Sequence, residues 1–279
     1  MQSEPFQVLR QIPGAGSVML SGEAAGEGPP VVLLHGLSAT RRNVVQGSKH
    51  LLRRGYRLIA YDARGHGISE PAPSYEYSDL VGDLHAVLAS LDLERAALVG
   101  SSMGATTAMA FALEHPERVP ALVQITPAYT GDARAGNEDW GRMAAELERG
   151  DLDAFARVAQ PDRVPDRWRE VGRDAVRQRM ERHEHRAAVA QALRQVPRSV
   201  AWTGLEPLES LEVPVLVVGS RDEADPTHPL AVAQEYARRL PRAELVVEEE
   251  GQSPLAWQGA RLSGAIGDFL ERIDLAGSL

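Results

Sequence analysis

The chain has no cysteine among its 279 residues. This excludes disulfide bonds, thiol catalysis and cysteine-ligated metals, and it fits a reducing compartment. An excess of positive charge is missing as well, since 30 basic against 39 acidic side chains give a formal net charge of −9. A chain this acidic has no general attraction to nucleic acid or to anionic lipid.

Long hydrophobic runs are also missing, and we expect no leader segment. The longest apolar stretches, such as Val31–Leu34 and Val213–Val218, are far too short to span a bilayer. The N-terminal residues lack the basic start and apolar region of a secretory signal. We therefore expect a soluble, cytoplasmic protein with a small-molecule substrate, no nucleic-acid or membrane partner, and no cofactor or metal; a homodimer stays open.

Short apolar runs alternate with helical patterns along most of the chain. An early hairpin is predicted at Phe6–Ile12 and Ser17–Leu20. Buried strands are predicted at Val31–Leu34, Arg57–Tyr61, Ala96–Gly100, Leu122–Ile125, Val213–Gly219 and Ala243–Val247. Helices are predicted at roughly Thr40–Arg54, Tyr77–Leu91, Met103–His115, Leu230–Leu240 and Gly259–Ile273. This alternation is typical of a parallel sheet with helices on both faces.

The alternation stops after Thr126-Pro127 and resumes near residue 200. The intervening stretch is rich in arginine and glutamate, and its patterns at Trp140–Arg149 and Asp174–Gln195 are helical. We interpret residues 131–199 as an inserted helical cap, and 1–130 with 200–279 as the core. His183 and His185 are two residues apart and so point to different helix faces, which favours a solvated polar surface over a metal site.

A Gly-x-Ser-x-Gly pentapeptide, Gly100–Gly104, lies between a predicted strand and a predicted helix. A sharp strand-to-helix turn of this kind exposes a serine hydroxyl, here that of Ser102, and its glycines relieve crowding. His35-Gly36-Leu37 follows another strand and can aim an amide at a developing oxyanion. The donors are then the N–H groups of Leu37 and Met103. An ordinary packing turn is the alternative interpretation of either segment.

These motifs resemble those of the α/β-hydrolase fold superfamily, in its esterase, lactonase and haloperoxidase-like group. The matching segments are His35-Gly36, Asp62–Ser69, Gly100–Gly104 and an acid loop at Gly219–Pro229. The resemblance covers essentially the whole chain. It implies a three-layer α/β fold with a mostly parallel eight-stranded sheet and an inserted helical cap. It also implies that His66, within Asp62–Ser69, is a hydrogen-bonded loop residue rather than a base.

The family carries its catalytic acid after the strand that follows the cap. Asp225 lies in a D-P-x-x-P pattern and is favoured, while Asp222 lies at the commonest distance from the strand and is the alternative acid. Either aspartate fits equally an N-cap or Asx turn before Leu230. The family's histidine follows the last strand, where this chain has Gln252, and no histidine follows His228. A glutamine amide cannot take a proton from a serine hydroxyl.

Three explanations for the missing histidine stay open. In the first, another residue acts as the base: His228 is the best-placed alternative, and His35 or a carboxylate of Glu248–Glu250 are others. If they are not involved, these glutamates are interpreted as charged side chains exposed to solvent. The protein performs lyase or isomerase chemistry instead, or it binds a ligand without converting it. We expect a carboxylesterase-like serine hydrolase of small apolar esters or lactones with an incomplete or unorthodox triad. An engineered His-to-Gln change stays open as well.

Overall fold

An open sheet of eight strands forms the centre of the computed structural model, which describes residues 3–133, 138–159, 165–221, 225 and 227–277. The spatial order is β1-β2-β4-β3-β5-β6-β7-β8; β1 and β2 run antiparallel to their neighbours, and β3 to β8 are parallel. The predicted eight-stranded, mostly parallel sheet is thereby confirmed. The strands are β1 Glu4–Ile12, β2 Gly16–Ala25, β3 Pro30–Leu34, β4 Arg57–Tyr61, β5 Ala97–Ser101, β6 Leu122–Ile125, β7 Val215–Val218 and β8 Ala243–Val246.

Helices cover both faces of the sheet, as continuous apolar strands require. One face packs against α2 (Tyr77–Ser90), α3 (Met103–Glu114) and α8 (Leu230–Arg239). The other packs against α1 (His50–Arg53) and α9 (Gly259–Arg272). Among the described residues, no helix has both the length and the apolar content needed to cross a bilayer.

Four further helices lie between β6 and β7: α4 (Glu138–Arg149), α5 (Leu152–Ala159), α6 (Asp166–Glu181) and α7 (Arg186–Gln195). They enclose an apolar cluster of their own, which includes the fully buried Phe155 and Met180. Leu37, from the loop after β3, packs against this cluster. The helices fall within the range interpreted as a cap, whose limits stay a prediction.

Two predicted helices are wrong in extent. Residues 40–54 form only a 3-10 turn at Arg41–Asn43 and the short α1, because Gln46 (φ 49°) and Gly47 (φ 70°) adopt left-handed conformations that a continuing helix cannot contain. The predicted helix Asp174–Gln195 is divided into α6 and α7. Between them Glu184 donates its backbone N–H to the carbonyl of Gly67 at 2.9 Å, which ties the break to the core.

Candidate active site

The turn between β5 and α3 presents Ser102. β5 ends at Ser101, α3 begins at Met103, and Ser102 has φ 51° and ψ −110°. A non-glycine residue seldom adopts a positive φ, and such strain persists where the surrounding structure enforces it, often at functional sites. Its backbone is fixed on both sides, since Ser102 N donates to Ile125 O and Ser102 O accepts from Thr106 N, each at 3.0 Å.

The two glycines of the pentapeptide allow the strand and the helix to approach closely. A Cβ atom on Gly100 would overlap the backbone of Gly104, and one on Gly104 would overlap the carbonyl of Leu34 in β3. Any larger residue at either position would push α3 away from the sheet. The glycines therefore position Ser102 above the carboxyl ends of the central strands.

The loop after β3 lies beside Ser102. A Cβ on Gly36 would lie 3.4 Å from Ser102 Cβ, and Ala39 N donates to Gly36 O at 3.0 Å to close a tight turn. Leu37 and Met103 both border the space next to Ser102. Within the described part of the chain, the backbone N–H of neither residue donates a hydrogen bond.

Three buried histidines surround the base of this loop. The rings of His35 and His66 are 5.2 Å apart, and those of His66 and His183 are 5.6 Å apart, measured between centroids. Burial lowers the pKa of all three, to about 3 for His35 and His183, and mutual repulsion adds to the effect for these two. The three rings are therefore neutral near pH 7.

Each of these rings accepts one backbone hydrogen bond and donates another. His66 Nε2 accepts from the N–H of Ser38 at 3.4 Å, and His183 Nε2 donates to the carbonyl of Ser38 at 3.3 Å. Ser38 itself has φ 61°. His183, which follows α6, thus joins the helices between β6 and β7 to the loop that carries Leu37. His35 Nδ1 donates to Gly36 O at 2.8 Å, and His35 Nε2 accepts from Ala63 N at 2.9 Å.

His228 is the histidine that reaches Ser102. Its Nε2 lies 2.8 Å from Ser102 Oγ, and its Nδ1 lies 2.8 Å from Asp225 Oδ2. Because Nδ1 donates to the carboxylate, Nε2 is the free acceptor for the serine proton. Ser102, His228 and Asp225 form one hydrogen-bonded chain with the order that nucleophilic catalysis requires.

Asp225 and His228 come from the same loop, three residues apart. His228 N donates to Asp225 O at 3.2 Å, and Thr227 Oγ1 donates to Asp225 Oδ1 at 2.7 Å, so both carboxylate oxygens are engaged. Burial alone would raise the pKa of the Asp225 carboxyl. The adjacent His228 and the hydrogen bonds from His228 and Thr227 outweigh burial, and the pKa lies below its ordinary value.

A cavity of about 490 Å³ opens over these residues. Ser102, His228 and Leu37 border it from the sheet side, and Trp140 and Arg179 border it from α4 and α6. This volume lies in the range of small-molecule sites. A much smaller space of about 30 Å³ also borders Ser102, next to Met103.

Residues 29–260 match the family model of the alpha/beta hydrolase fold. This range covers most of the chain and includes the whole site described above. The chain belongs to the α/β-hydrolase fold family. Its early hairpin lies before the matched segment, and the site residues of β3, β5 and the loop after β7 lie within it.

Known proteins similar to this α/β-hydrolase include several hydrolases. The AB hydrolase superfamily protein YisY of Bacillus subtilis is 26% identical over 82% of this chain and 86% of its own length. The sn-1-specific diacylglycerol lipase ABHD11 of Mus musculus is 39% identical over 38% of this chain, which spans only 34% of that lipase. A thermophilic esterase from Thermogutta terrifontis, solved with malate bound, superimposes with a TM-score of 0.78 at 24% identity, covering 97% of this chain and 99% of the esterase.

The other residues predicted for the α/β-hydrolase site lie elsewhere. Gln252 is exposed, and its Oε1 accepts from Arg261 Nη1 at 2.7 Å, so it does not border the cavity around Ser102. Asp222 lies outside the described residues. The interpretation of Glu248 as solvated charge is wrong, because it is buried and its carboxylate accepts from Arg221 N at 2.6 Å.

Two further residues were missed from the sequence. His183 was interpreted as part of a solvated surface, but it is 4% exposed and bridges two loops of the core. Its placement on a helix is wrong as well, because His183 and His185 lie in the break between α6 and α7, which the helical pattern of Asp174–Gln195 does not show. Arg179 is one of several arginines in α6, and nothing in the sequence distinguishes it. Within the described residues, no group of three or more histidine, aspartate or glutamate side chains has a metal-binding arrangement.

Proposed function

We propose that this α/β-hydrolase cleaves small carboxylic esters or lactones by a serine mechanism. Ser102 is the nucleophile, His228 the general base and acid, and Asp225 the group that orients and stabilises His228. The N–H groups of Leu37 and Met103 form the oxyanion hole. The observation that carries the proposal is the hydrogen-bonded chain from Ser102 Oγ through His228 to Asp225.

In the first half of the proposed reaction, Ser102 Oγ attacks the ester carbonyl carbon as His228 Nε2 takes the hydroxyl proton. The carbonyl oxygen becomes negatively charged and accepts hydrogen bonds from the N–H groups of Leu37 and Met103, which have no acceptor in the described part of the chain. The carbon–oxygen bond to the alcohol then breaks, and His228 returns the proton to the departing alkoxide. Ser102 is left acylated.

In the second half, water replaces the alcohol. His228 Nε2 accepts a proton from the water as its oxygen attacks the acyl carbon, and the bond to Ser102 Oγ breaks with return of that proton to the serine. The products are a carboxylic acid and the free enzyme. Asp225 stays ionised throughout and stabilises the imidazolium that forms twice per cycle; the lowered pKa of its carboxyl supports this role.

The helices α4 to α7 are proposed as the cap of this site. Trp140 of α4, Val158 of α5 and Val176 of α6 border the cavity over Ser102. They supply the apolar walls expected around a small organic substrate.

The test compares Ser102→Ala with Ser101→Ala, the adjacent serine of the same turn. Initial rates on p-nitrophenyl butyrate are measured alongside covalent labelling by a fluorophosphonate. We expect Ser102→Ala to lose about 10⁶-fold in kcat, as removal of the nucleophile does in a related triad system, and to lose the label. Ser101→Ala keeps both the label and activity close to the parent.

Turnover that survives Ser102→Ala would overturn the serine mechanism and favour lyase or isomerase chemistry in the same cavity. Saturable ligand binding by the parent, with neither product nor label, would overturn catalysis altogether. Activity of the parent with an unlabelled, inactive Ser102→Ala variant supports the proposal.

A further inference from the structure

Arg179 is an arginine that borders the cavity, and the proposed mechanism does not use it. It lies on the inward face of α6, three residues after Val176 and next to Met180, both of which are buried. Its side chain borders the same cavity as Ser102 and His228. The other arginines of α6 are not among the residues that border this cavity.

The Arg179 guanidinium has no anionic partner within residues 3–133, 138–159, 165–221, 225 and 227–277. Its Nε is buried without a hydrogen-bond acceptor there, and no carboxylate of that part of the chain forms an ion pair with it. By contrast, Arg177, two residues earlier and more exposed, pairs with Asp174 and Asp153. Arginine stays protonated in proteins, so the cavity contains a cation that the described chain does not neutralise by contact.

Two carboxylates also border the cavity, and neither forms an ion pair with Arg179. Burial lowers the pKa of Arg179, and the negative charge of Asp225 raises it by a smaller amount. Both carboxylate oxygens of Asp225 are already engaged, by His228 and by Thr227. Asp139 is paired with Arg142 at 3.0 Å. An unpaired charge in a partly buried site is costly unless a ligand of opposite charge binds to it.

We propose that the cavity takes esters that carry a second, anionic group, and that Arg179 binds this group as a carboxylate while Ser102 attacks the ester carbonyl. A planar guanidinium matches a carboxylate through two parallel hydrogen bonds, which fixes orientation as well as adding affinity. Arg179 is thus a specificity-determining residue. This inference rests on the proposed function, and it narrows the substrate class from small esters in general to esters that carry an anionic group.

The first experiment measures kcat and KM on two matched pairs of esters. One pair is p-nitrophenyl hydrogen adipate and p-nitrophenyl hexanoate, with the carboxylate on the acyl side; the other is p-acetoxybenzoate and p-tolyl acetate, with the carboxylate on the alcohol side. Each rate is corrected for spontaneous hydrolysis. Every variant is compared with the parent on the same ester, so the intrinsic reactivity of each ester cancels.

Arg179→Met removes the charge and keeps an unbranched, shorter side chain at this position. We expect it to lower kcat/KM for the carboxylate ester of at least one pair by about 10- to 100-fold, mainly through KM, while the neutral partner changes by less than about threefold. Arg179→Lys recovers part of the loss. Arg177→Met removes a positive charge from the same helix outside the cavity. We expect it to leave kcat/KM unchanged for both esters of each pair.

Equal losses on charged and neutral esters would overturn the proposal, because Arg179 would then act on Asp225 or on the fold. No change on any ester would overturn it as well. Should Arg179→Met not fold, calorimetric titration of Ser102→Ala with monomethyl adipate and with dimethyl adipate gives the answer without changing Arg179. Tighter binding of the monoanion supports the anion site, and equal or weaker binding overturns it.

The binding measurement also separates the two proposals. Hydrolysis with no preference for either carboxylate ester would leave the serine mechanism standing and remove the anion site. Preferential binding of monomethyl adipate by Ser102→Ala, lost in the Ser102→Ala/Arg179→Met double variant, would support the anion site even if the parent hydrolysed none of the four esters.

Discussion

Two loops at the carboxyl edge of the sheet differ in what they bring to Ser102. The loop after β7 carries both Asp225 and His228, and His228 Nε2 contacts Ser102 Oγ at 2.8 Å. The loop after β8 carries Gln252, which is exposed and bound by Arg261. The resemblance to α/β-hydrolases divides acid and base between these two loops. In this chain the proposed acid and base lie in the same loop, the one after β7. The comparison shows that a catalytic role depends on where a side chain lies in the folded structure, not on a fixed position along the chain.

The two loops are nevertheless joined. Glu248, at the start of the loop after β8, accepts hydrogen bonds from Arg221 N at 2.6 Å and from Ser220 Oγ at 3.3 Å, both at the start of the loop after β7. Its other oxygen accepts from Leu255 N at 3.3 Å. The loop after β8 therefore supports the loop that carries Asp225 and His228 without contributing a group to the proposed triad.

The largest difference between the loops is expected on substitution of His228, the proposed base, and of Gln252, the residue at the family's histidine position. His228→Gln leaves Ser102 without a proton acceptor, and we expect a loss of roughly 10⁵- to 10⁶-fold in kcat on p-nitrophenyl butyrate. Gln252→Ala, the matched change in the other loop, alters kcat by less than about threefold because exposed substitutions away from a site have small effects. Initial-rate kinetics on both variants give the comparison.

A loss of similar size in Gln252→Ala would contradict this asymmetry. A double variant, His228→Gln/Gln252→His, tests whether the loop after β8 can still supply a base. We expect no recovery, since the residue 252 side chain faces Arg261 and solvent. Recovery above about tenfold would mean that the second loop retains the function that the resemblance assigns to it.

Asp225→Asn is expected to have the next largest effect. An amide at this position stabilises the wrong histidine tautomer and cannot balance the imidazolium charge, and the corresponding change lowers kcat about 10⁴-fold in serine proteases. Initial-rate kinetics on p-nitrophenyl butyrate measure the loss. Wild-type kcat in the variant would exclude Asp225 as the acid and favour Asp222, the alternative acid.

The turn that presents Ser102 could be predicted from sequence because its requirements are local. Gly100, Ser102 and Gly104 are needed by backbone geometry at that one turn, and a strand before it and a helix after it are visible in the pattern. The sheet was predictable for the same reason, from apolar runs of strand length. His228 was recognised only as an alternative base, since its approach to Ser102 depends on how two distant segments meet.

Residues whose role depends on burial could not be predicted. Glu248 stands in a run of three glutamates, and only the packing of two loops withdraws it from solvent. His183 follows a charged helix and is buried because α6 ends against the loop of Gly67. Periodicity defines which residues share a helix face, but it does not define what that face contacts.

The buried histidines predict that acid destabilises the fold. His35 and His183 have pKa values lowered from 6.5 to about 3 by burial. Between these values the unfolded chain binds more protons than the folded one, so the free energy of unfolding falls as pH falls, by up to roughly 1.4 kcal/mol per pH unit for each residue. Urea unfolding between pH 7 and pH 4 measures this slope.

His228→Gln is the matched control, and we expect it to keep the slope because His228 is not part of the buried set. His183→Gln should reduce the slope by about half, since one of the two strongly shifted groups is removed. A slope that disappears in His228→Gln and persists in His183→Gln would contradict the assignment.

The smallest effect is expected at the junction of the two loops. Glu248→Gln places an amide among the N–H donors of Arg221 and Leu255, and we expect the free energy of unfolding to fall by about 1–3 kcal/mol, with a smaller loss of activity. Glu249→Gln, at the exposed neighbour, should leave both unchanged. The midpoints of urea unfolding measure the difference, and equal midpoints would show that the junction contributes nothing to stability.

The short spacing of Asp225 and His228 changes what folding must accomplish at the site. The two residues are three apart, so their contact is a local one with a small loop-closure cost, like a turn of backbone. The contact between His228 and Ser102 spans 126 residues of chain and requires the assembled sheet. An acid and a base on separate loops would need two such long-range encounters to be correct at once. In this chain a single encounter, between one loop and one turn, completes the hydrogen-bonded chain.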